Sequence, residues 1–158
     1  MTDTLTIRRI QAEDLSGAIR LVQSEAASNE WLDDIPEMLE AAVSGDGREL
    51  RAVCIREREQ VIGVGLFGSI AGTIGTAAIH AILVAPQERG RGFGSQIARF
   101  IRDDLQAIGA RLIIAELPDD HRVSEYRAIL WGIGLKEESR IPDYYSDGIS
   151  LLQMRLDL

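Results

Sequence analysis

From Ile82 to Ser95 the chain reads Ile-Leu-Val-Ala-Pro-Gln-Glu-Arg-Gly-Arg-Gly-Phe-Gly-Ser, an apolar run that breaks at Pro86 into an arginine and glycine loop opening onto a helical pattern. A stretch of this kind can seat a pyrophosphate. Gly90, Gly92 and Gly94 let backbone approach an anion without Cβ clashes. The first amides of the following helix lack intrahelical acceptors and point at the ligand, with the positive end of the helix dipole behind them. Arg89 and Arg91 add charge on the spot. Two other phosphate loops do not fit. A dinucleotide fingerprint, G-x-G-x-x-G, meets Ser95 at its sixth position when started from Gly90 and Ile97 when started from Gly92. A nucleotide-hydrolase P-loop needs Gly-Lys-Ser/Thr, and the one lysine of the chain is Lys136. The bland alternative is a glycine loop that only turns a corner.

What remains is Arg-x-x-Gly-x-Gly, met by Arg89, Gly92 and Gly94 after Val84 and Pro86. Here the chain resembles the GNAT superfamily of acetyl-CoA-dependent N-acetyltransferases. A second register, Gln87-x-x-Gly90-x-Gly92, fits the same letters. The first is preferred because in that family the arginine or glutamine follows three residues after the proline of Val-x-Pro, as Arg89 does. The resemblance implies an α/β (α+β) fold with a mixed sheet of about seven strands and about four helices, splayed where the cofactor lies. It implies that backbone groups of Ile82, Leu83 and Val84 hydrogen-bond the pantetheine arm of acetyl-CoA, the co-substrate, as a pseudo-strand. The pyrophosphate then sits on the amides of Arg89, Gly90, Arg91, Gly92, Phe93, Gly94 and Ser95, and an amide near Val84 polarises the thioester carbonyl. On this reading neither Gly92 nor Gly94 tolerates a Cβ, which would enter the pyrophosphate space or demand a positive φ.

Transfer to an amine needs a base and an acid, and here the chain departs from the family. Many members carry a glutamate on the strand before the loop, where this chain has Ala78, His80 and Ile82. By strand alternation His80 shares a face with Ile82 and Val84, and a histidine near its natural pKa can take an ammonium proton directly or through water. Its alternative is a core histidine bonded to a backbone carbonyl. Glu116 is the second candidate base, its alternative a solvated strand-end carboxylate. The family's acid is a tyrosine in a Tyr-x-x-x-Gly-Phe signature. The corresponding stretch is Leu130-Trp131-Gly132-Ile133-Gly134-Leu135, so Leu130 stands at the tyrosine position, and the family's asparagine is also missing. Tyr126, one turn earlier, or Tyr144 and Tyr145 in a late turn are the remaining hydroxyls, with helix packing and a cleft rim as their alternatives. Water can also protonate a leaving thiolate. Two functions follow: acetyl transfer from acetyl-CoA to a primary amine of a small molecule or protein, or a CoA-binding, catalytically weak relative that senses or regulates.

These groups need elements to hold them. Residues 5–10 read as a strand and 12–27 as an amphipathic helix with Leu15, Ile19, Leu21 and Val22 near helical spacing. Pro36 suits the first turn of a short second helix carrying Met38, Leu39, Ala42 and Val43. Residues 50–55 and 61–67 read as a hairpin, where Gly63, Gly65 and Gly68 mark a bulge or close approach. Residues 76–84 form a largely apolar strand suited to the sheet centre. Beyond the glycine loop, Ile97, Ile101, Leu105 and Ile108 recur on one helix face up to Gly109. A strand at 111–117, a helix at 122–131, and strands at 135–141 and 148–156 around a turn at 142–148 complete the pattern. The order β-α-α-β-β-β-α-β-α-β-β is similar to that of the GNAT superfamily. An acceptor pocket is expected between the two N-terminal helices, the loop 29–34 and the Tyr144-Tyr145 turn, with Asp33, Asp34 and Glu37 to attract a cation or merely to be solvated.

Composition bounds these readings. At 158 residues the chain is expected to be one domain, 1–158, able to bury a core. With 17 basic and 25 acidic residues its formal charge of -8 argues against nucleic acid or anionic membrane as the main partner. The candidate partners are an amine-bearing acceptor and a second copy in a homodimer. A lone cysteine, Cys54, in a strand-like apolar stretch reads as core and points to a reducing compartment. No signal-peptide h-region or membrane-length apolar run is present, so a cytoplasmic location is expected, and no metal is called for.

Overall fold

The computed structural model describes residues 5–158; the reading of the first four residues as free of an apolar leader lies outside them. Alternation in β2 (Arg51–Glu57) sends Val53 and Ile55 to one side of a sheet and Ala52 and Cys54 to the other. Both sides are buried, so helices must cover both. The remaining elements are β1 (Ile7–Arg9), α1 (Ala12–Ala26), α2 (Ile35–Ser44), β3 (Gln60–Ser69), β4 (Thr76–Val84), α3 (Phe93–Ala107), β5 (Leu112–Pro118), α4 (Ser124–Gly132), β6 (Lys136–Ser146) and β7 (Ile149–Asp157). They form a mixed seven-stranded sheet in the order β1-β2-β3-β4-β5-β7-β6. Ala18, Val22 and Leu39 of α1 and α2 pack on one face, and Ile97, Ile101, Leu105 and Leu130 of α3 and α4 on the other. The anticipated fold class is thus the observed one.

The α3 stripe seats closely because Gly65 offers no side chain beneath it: a Cβ there would stand 2.6 Å from Ile97 Cγ2 and 2.9 Å from Ile101 Cδ1. Of the two meanings open for the strand glycines, close approach is the one Gly65 serves. Ile108 does not belong to the stripe. The helix ends at Ala107, and Ile108 is 45% exposed at its cap. At the C-terminal end the anticipated turn at 142–148 is mostly strand, because β6 runs to Ser146 through an irregularity after Ile141 and leaves a tight turn at Asp147-Gly148.

Two departures from regular pairing shape the sheet centre. The parallel strands β4 and β5 pair only over Thr76–Ile79 and Leu112–Ala115, after which β5 continues beside β7 while β4 keeps only β3. The sheet therefore splits, and His80–Val84 present a free backbone edge to the gap. The β3–β4 register also slips at this point: Leu66 opposes Ala81 and Phe67 opposes Ile79, leaving His80 as the extra residue of a β-bulge. A bulge re-aims side chains.

Candidate active site

Every strand residue N-terminal to the bulge changes parity relative to those after it. Ala77 and Ile79 join Ile82 and Val84 in the core beneath α3, whereas Ala81 packs toward α1 and α2. His80 accordingly does not share a face with Ile82 and Val84, as uninterrupted alternation would require. It lines a cavity of about 380 Å³ with Ala78, Trp31, Asp34, Ile35, Met38, Glu116 and Tyr145. The ring is half-buried, and no hydrogen bond ties it to another described residue. Burial lowers its pKa from the ordinary 6.5, with the Glu116 charge pulling weakly the other way.

Glu116 sits at the start of the split on β5, exposed, with Oε1 accepting from Gln153 Nε2 at 2.8 Å. Its charge also bears on Tyr145, whose hydroxyl is pushed up to about 12 first by burial and then by Glu116 and Tyr144. Three of the catalytic candidates, His80, Glu116 and Tyr145, are thereby gathered around one cavity. Tyr126 belongs to the adjoining space. It is buried, its ring stacks on Trp31 at 5.6 Å, and its hydroxyl donates to the carbonyl of Ile79 at 3.4 Å, the last residue before the split. Burial raises its pKa further. Tyr144 lies outside the cavity, edge-on to Tyr145 at 5.0 Å, and Asp34 is the one member of the expected acidic trio that lines it.

The second space runs along the free edge of β4. Ile82, Leu83 and Val84 form one wall, Tyr126 and Ile129 of α4 another, and Glu25, Asn29 and Trp31 close the side of α1. At its end α3 begins with Gly92 at φ +83°, a left-handed conformation that a residue bearing Cβ adopts only at a cost, and no side chain caps the helix. Its first turn carries no acidic residue. The uncapped amides of Phe93, Gly94 and Ser95 are those an anion requires. Gly94 has a different reason to be glycine from the one expected of it. Its Cβ would stand 2.5 Å from Ile129 Cδ1, so it permits close packing of α3 against α4.

Both loop arginines are engaged by carboxylates. Arg89 bridges the helices on either side of the cleft, with Nη2 2.9 Å from Glu25 and Nε 3.7 Å from Glu125, and Nε also donates to the Val84 carbonyl at 3.3 Å. Arg91 pairs with Glu88 and lies over the Phe93 ring at 4.6 Å. Arg122 adds a further tie, held by Asp120 and donating to the Ser28 carbonyl at 2.8 Å, which joins the segment after α1 to the turn before α4. Glu25, Arg122 and Gln153 carry no local sequence signal; each acts through a partner 37 to 94 positions away. Trp31 lines both spaces, and its indole Nε1 is buried without a hydrogen-bond partner.

Comparison with known proteins agrees with this geometry. A family model described as the Acetyltransferase (GNAT) family matches residues 14–129. Among solved structures the fold is similar to a GNAT-family protein from Desulfovibrio desulfuricans (TM-score 0.85, 22% identity, covering 98% of this chain and 99% of that one). It is also similar to a ribosomal-protein-alanine N-acetyltransferase from Brucella melitensis (0.79, 20%, 98% and 100%). A third is an aminoglycoside 6'-N-acetyltransferase complexed with coenzyme A (0.78, 15%, 96% and 96%). No curated protein matches the sequence. No helix among the described residues is long and apolar enough to cross a membrane.

Proposed function

From the premise that this chain belongs to the GNAT family and is an acyltransferase, we propose that it transfers an acetyl group from acetyl-CoA to a primary amine, as one domain acting in the cytoplasm. The observation that carries the reading is the split after Ile79, where a free strand edge ends beside an uncapped helix. Backbone groups of Ile82, Leu83 and Val84 take the amide-bearing arm of the co-substrate as an added strand. The amides from Arg89 to Ser95 take its pyrophosphate, with Gly90 and Gly92 keeping Cβ atoms away. Arg89 supplies charge without leaving Glu25, holding α1 and α4 in place across the cleft.

On the other side of Trp31, the amine enters the cavity of His80, Glu116 and Tyr145. An ammonium ion has no lone pair for attack, so one proton must leave first. Neutral His80 accepts it, and Glu116 stabilises the imidazolium that results. The amine nitrogen then bonds to the acetyl carbon while the carbon–sulfur bond breaks, and the second proton of the nitrogen passes through Tyr145 or water to the departing thiolate, leaving a neutral amide and a free thiol. Tyr126, whose hydroxyl is spent on Ile79, holds Trp31 and the mouth of the split rather than giving up a proton.

The test is thiol release from acetyl-CoA with the purified protein and a broad panel of primary amines, alongside calorimetric titration with CoA. Binding of CoA together with amine-dependent thiol release is expected. CoA bound with every amine untouched would favour a sensing role instead, and absence of CoA binding would overturn the assignment of the cleft.

A further inference from the structure

We infer that the acceptor is a small monoamine carried on an apolar body, an inference that rests on the acetyl transfer proposed above. The cavity around His80 is charged in an unusual way. Its acidic residues are Asp34 and Glu116, and neither arginine nor lysine lines it. Asp34 has no ion pair among the described residues, and Glu116 is held by the neutral amide of Gln153. The adjoining cleft shows the contrast: there Glu25 and Glu125 both meet Arg89. Of the two carboxylates Glu116 serves the imidazolium that His80 becomes, which leaves Asp34 to draw in one ammonium group by Coulomb attraction.

Apart from His80, Asp34, Glu116 and Tyr145, the side chains that line the cavity are apolar: Ile35, Met38, Ile70, Ile79 and Ile114, with Trp31 and two alanines. Hydroxyls or a second ammonium set against these surfaces lose water without gaining a partner, which costs free energy. An alkyl or aromatic body loses nothing by the same move. At about 380 Å³ the cavity also stands at the small end of ligand pockets, so a folded protein surface or a multi-ring sugar does not enter it whole.

The experiment is a competition of acceptors at saturating acetyl-CoA, read as thiol release: 2-phenylethylamine and n-hexylamine against spermidine, glucosamine and a peptide with a free N-terminal alanine. The apolar monoamines are expected to lead in kcat/KM by roughly tenfold or more. Asp34→Asn, which keeps an equivalent residue at the start of α2, is expected to raise their KM roughly tenfold with CoA affinity unchanged, the loss of one charge-assisted contact. Met38→Gln is expected to narrow the gap between 2-phenylethylamine and glucosamine. Preference for spermidine, glucosamine or the peptide overturns the substrate class and leaves acetyl transfer standing. Failure of the two apolar monoamines while another amine of the broad panel is acetylated overturns the substrate class alone, and failure of the whole panel overturns both.

Discussion

His80 is the residue to which the proposed chemistry assigns the base, and its position is made by a local slip of register. A histidine in an unbroken strand would face α3 with Ile82 and Val84; the bulge instead brings it to the cavity shared with Glu116 and Tyr145. Burial outweighs Glu116 and holds its pKa below 6.5, so the ring is the free base at neutral pH and gains its proton only as pH falls through a value under 6.5. The acid limb of kcat/KM is therefore expected to have its midpoint below 6.5. His80→Ala should abolish that limb and lower the plateau by about 10²-fold, the usual worth of a general base. A pH–rate series on both proteins checks it, and an unaltered profile in the variant would pass the role to Glu116 or water. Tyr145, pushed up to about 12, keeps its proton across the same range and adds no limb of its own.

At the scale of elements, the start of α3 joins two demands that its glycines divide. Gly92 provides the left-handed turn into the helix in open surroundings, while Gly94 provides the room that Ile129 of α4 fills. Substituting each by valine separates them. Gly92→Val is expected to remove CoA binding with a modest loss of stability, on the order of 1–2 kcal/mol for a β-branched residue at positive φ. Gly94→Val is expected to lower the melting temperature more, since the Ile129 side chain must move aside to admit the new one. Thermal denaturation and CoA titration of the two variants side by side decide it. A Gly92→Val protein that binds CoA normally would place the pyrophosphate elsewhere.

For the whole molecule, the cleft is a gap in a sheet whose flanks are tied by charge rather than by strand pairing. Arg89 joins α1 to α4, and Arg122 joins the Ser28 carbonyl to Asp120. A ligand that fills the gap and binds only the folded chain stabilises it by mass action, about 2.7 kcal/mol at a free concentration near 100 Kd. For a chain of this size that is a rise of about 5–10 °C in melting temperature with CoA. ATP or NAD at equal concentration is expected to give much less, because neither has the long amide-bearing arm that the edge at Ile82–Val84 is proposed to take. Equal shifts with all three in differential scanning fluorimetry would show that the loop reads phosphate alone.

The order of elements, the stripe Ile97, Ile101, Leu105 and the Arg-x-x-Gly-x-Gly loop were all legible in the chain, because periodicity, apolar runs and glycine's freedom at positive φ are local properties that neighbours in sequence reveal. So was the list of titratable residues from which the chemistry is drawn. Which of them meet was not. The bulge at His80 arises from pairing with Leu66 and Phe67, the reason for Gly94 lies in Ile129 on another helix, and Arg89 finds Glu25 64 positions away. The separation of Asp34 from Asp33 and Glu37 likewise depends on where α2 rests over the sheet. Contacts of this kind are set by how strands pair and how helices pack on them, and only the tertiary structure decides between residues that the sequence presents as equals.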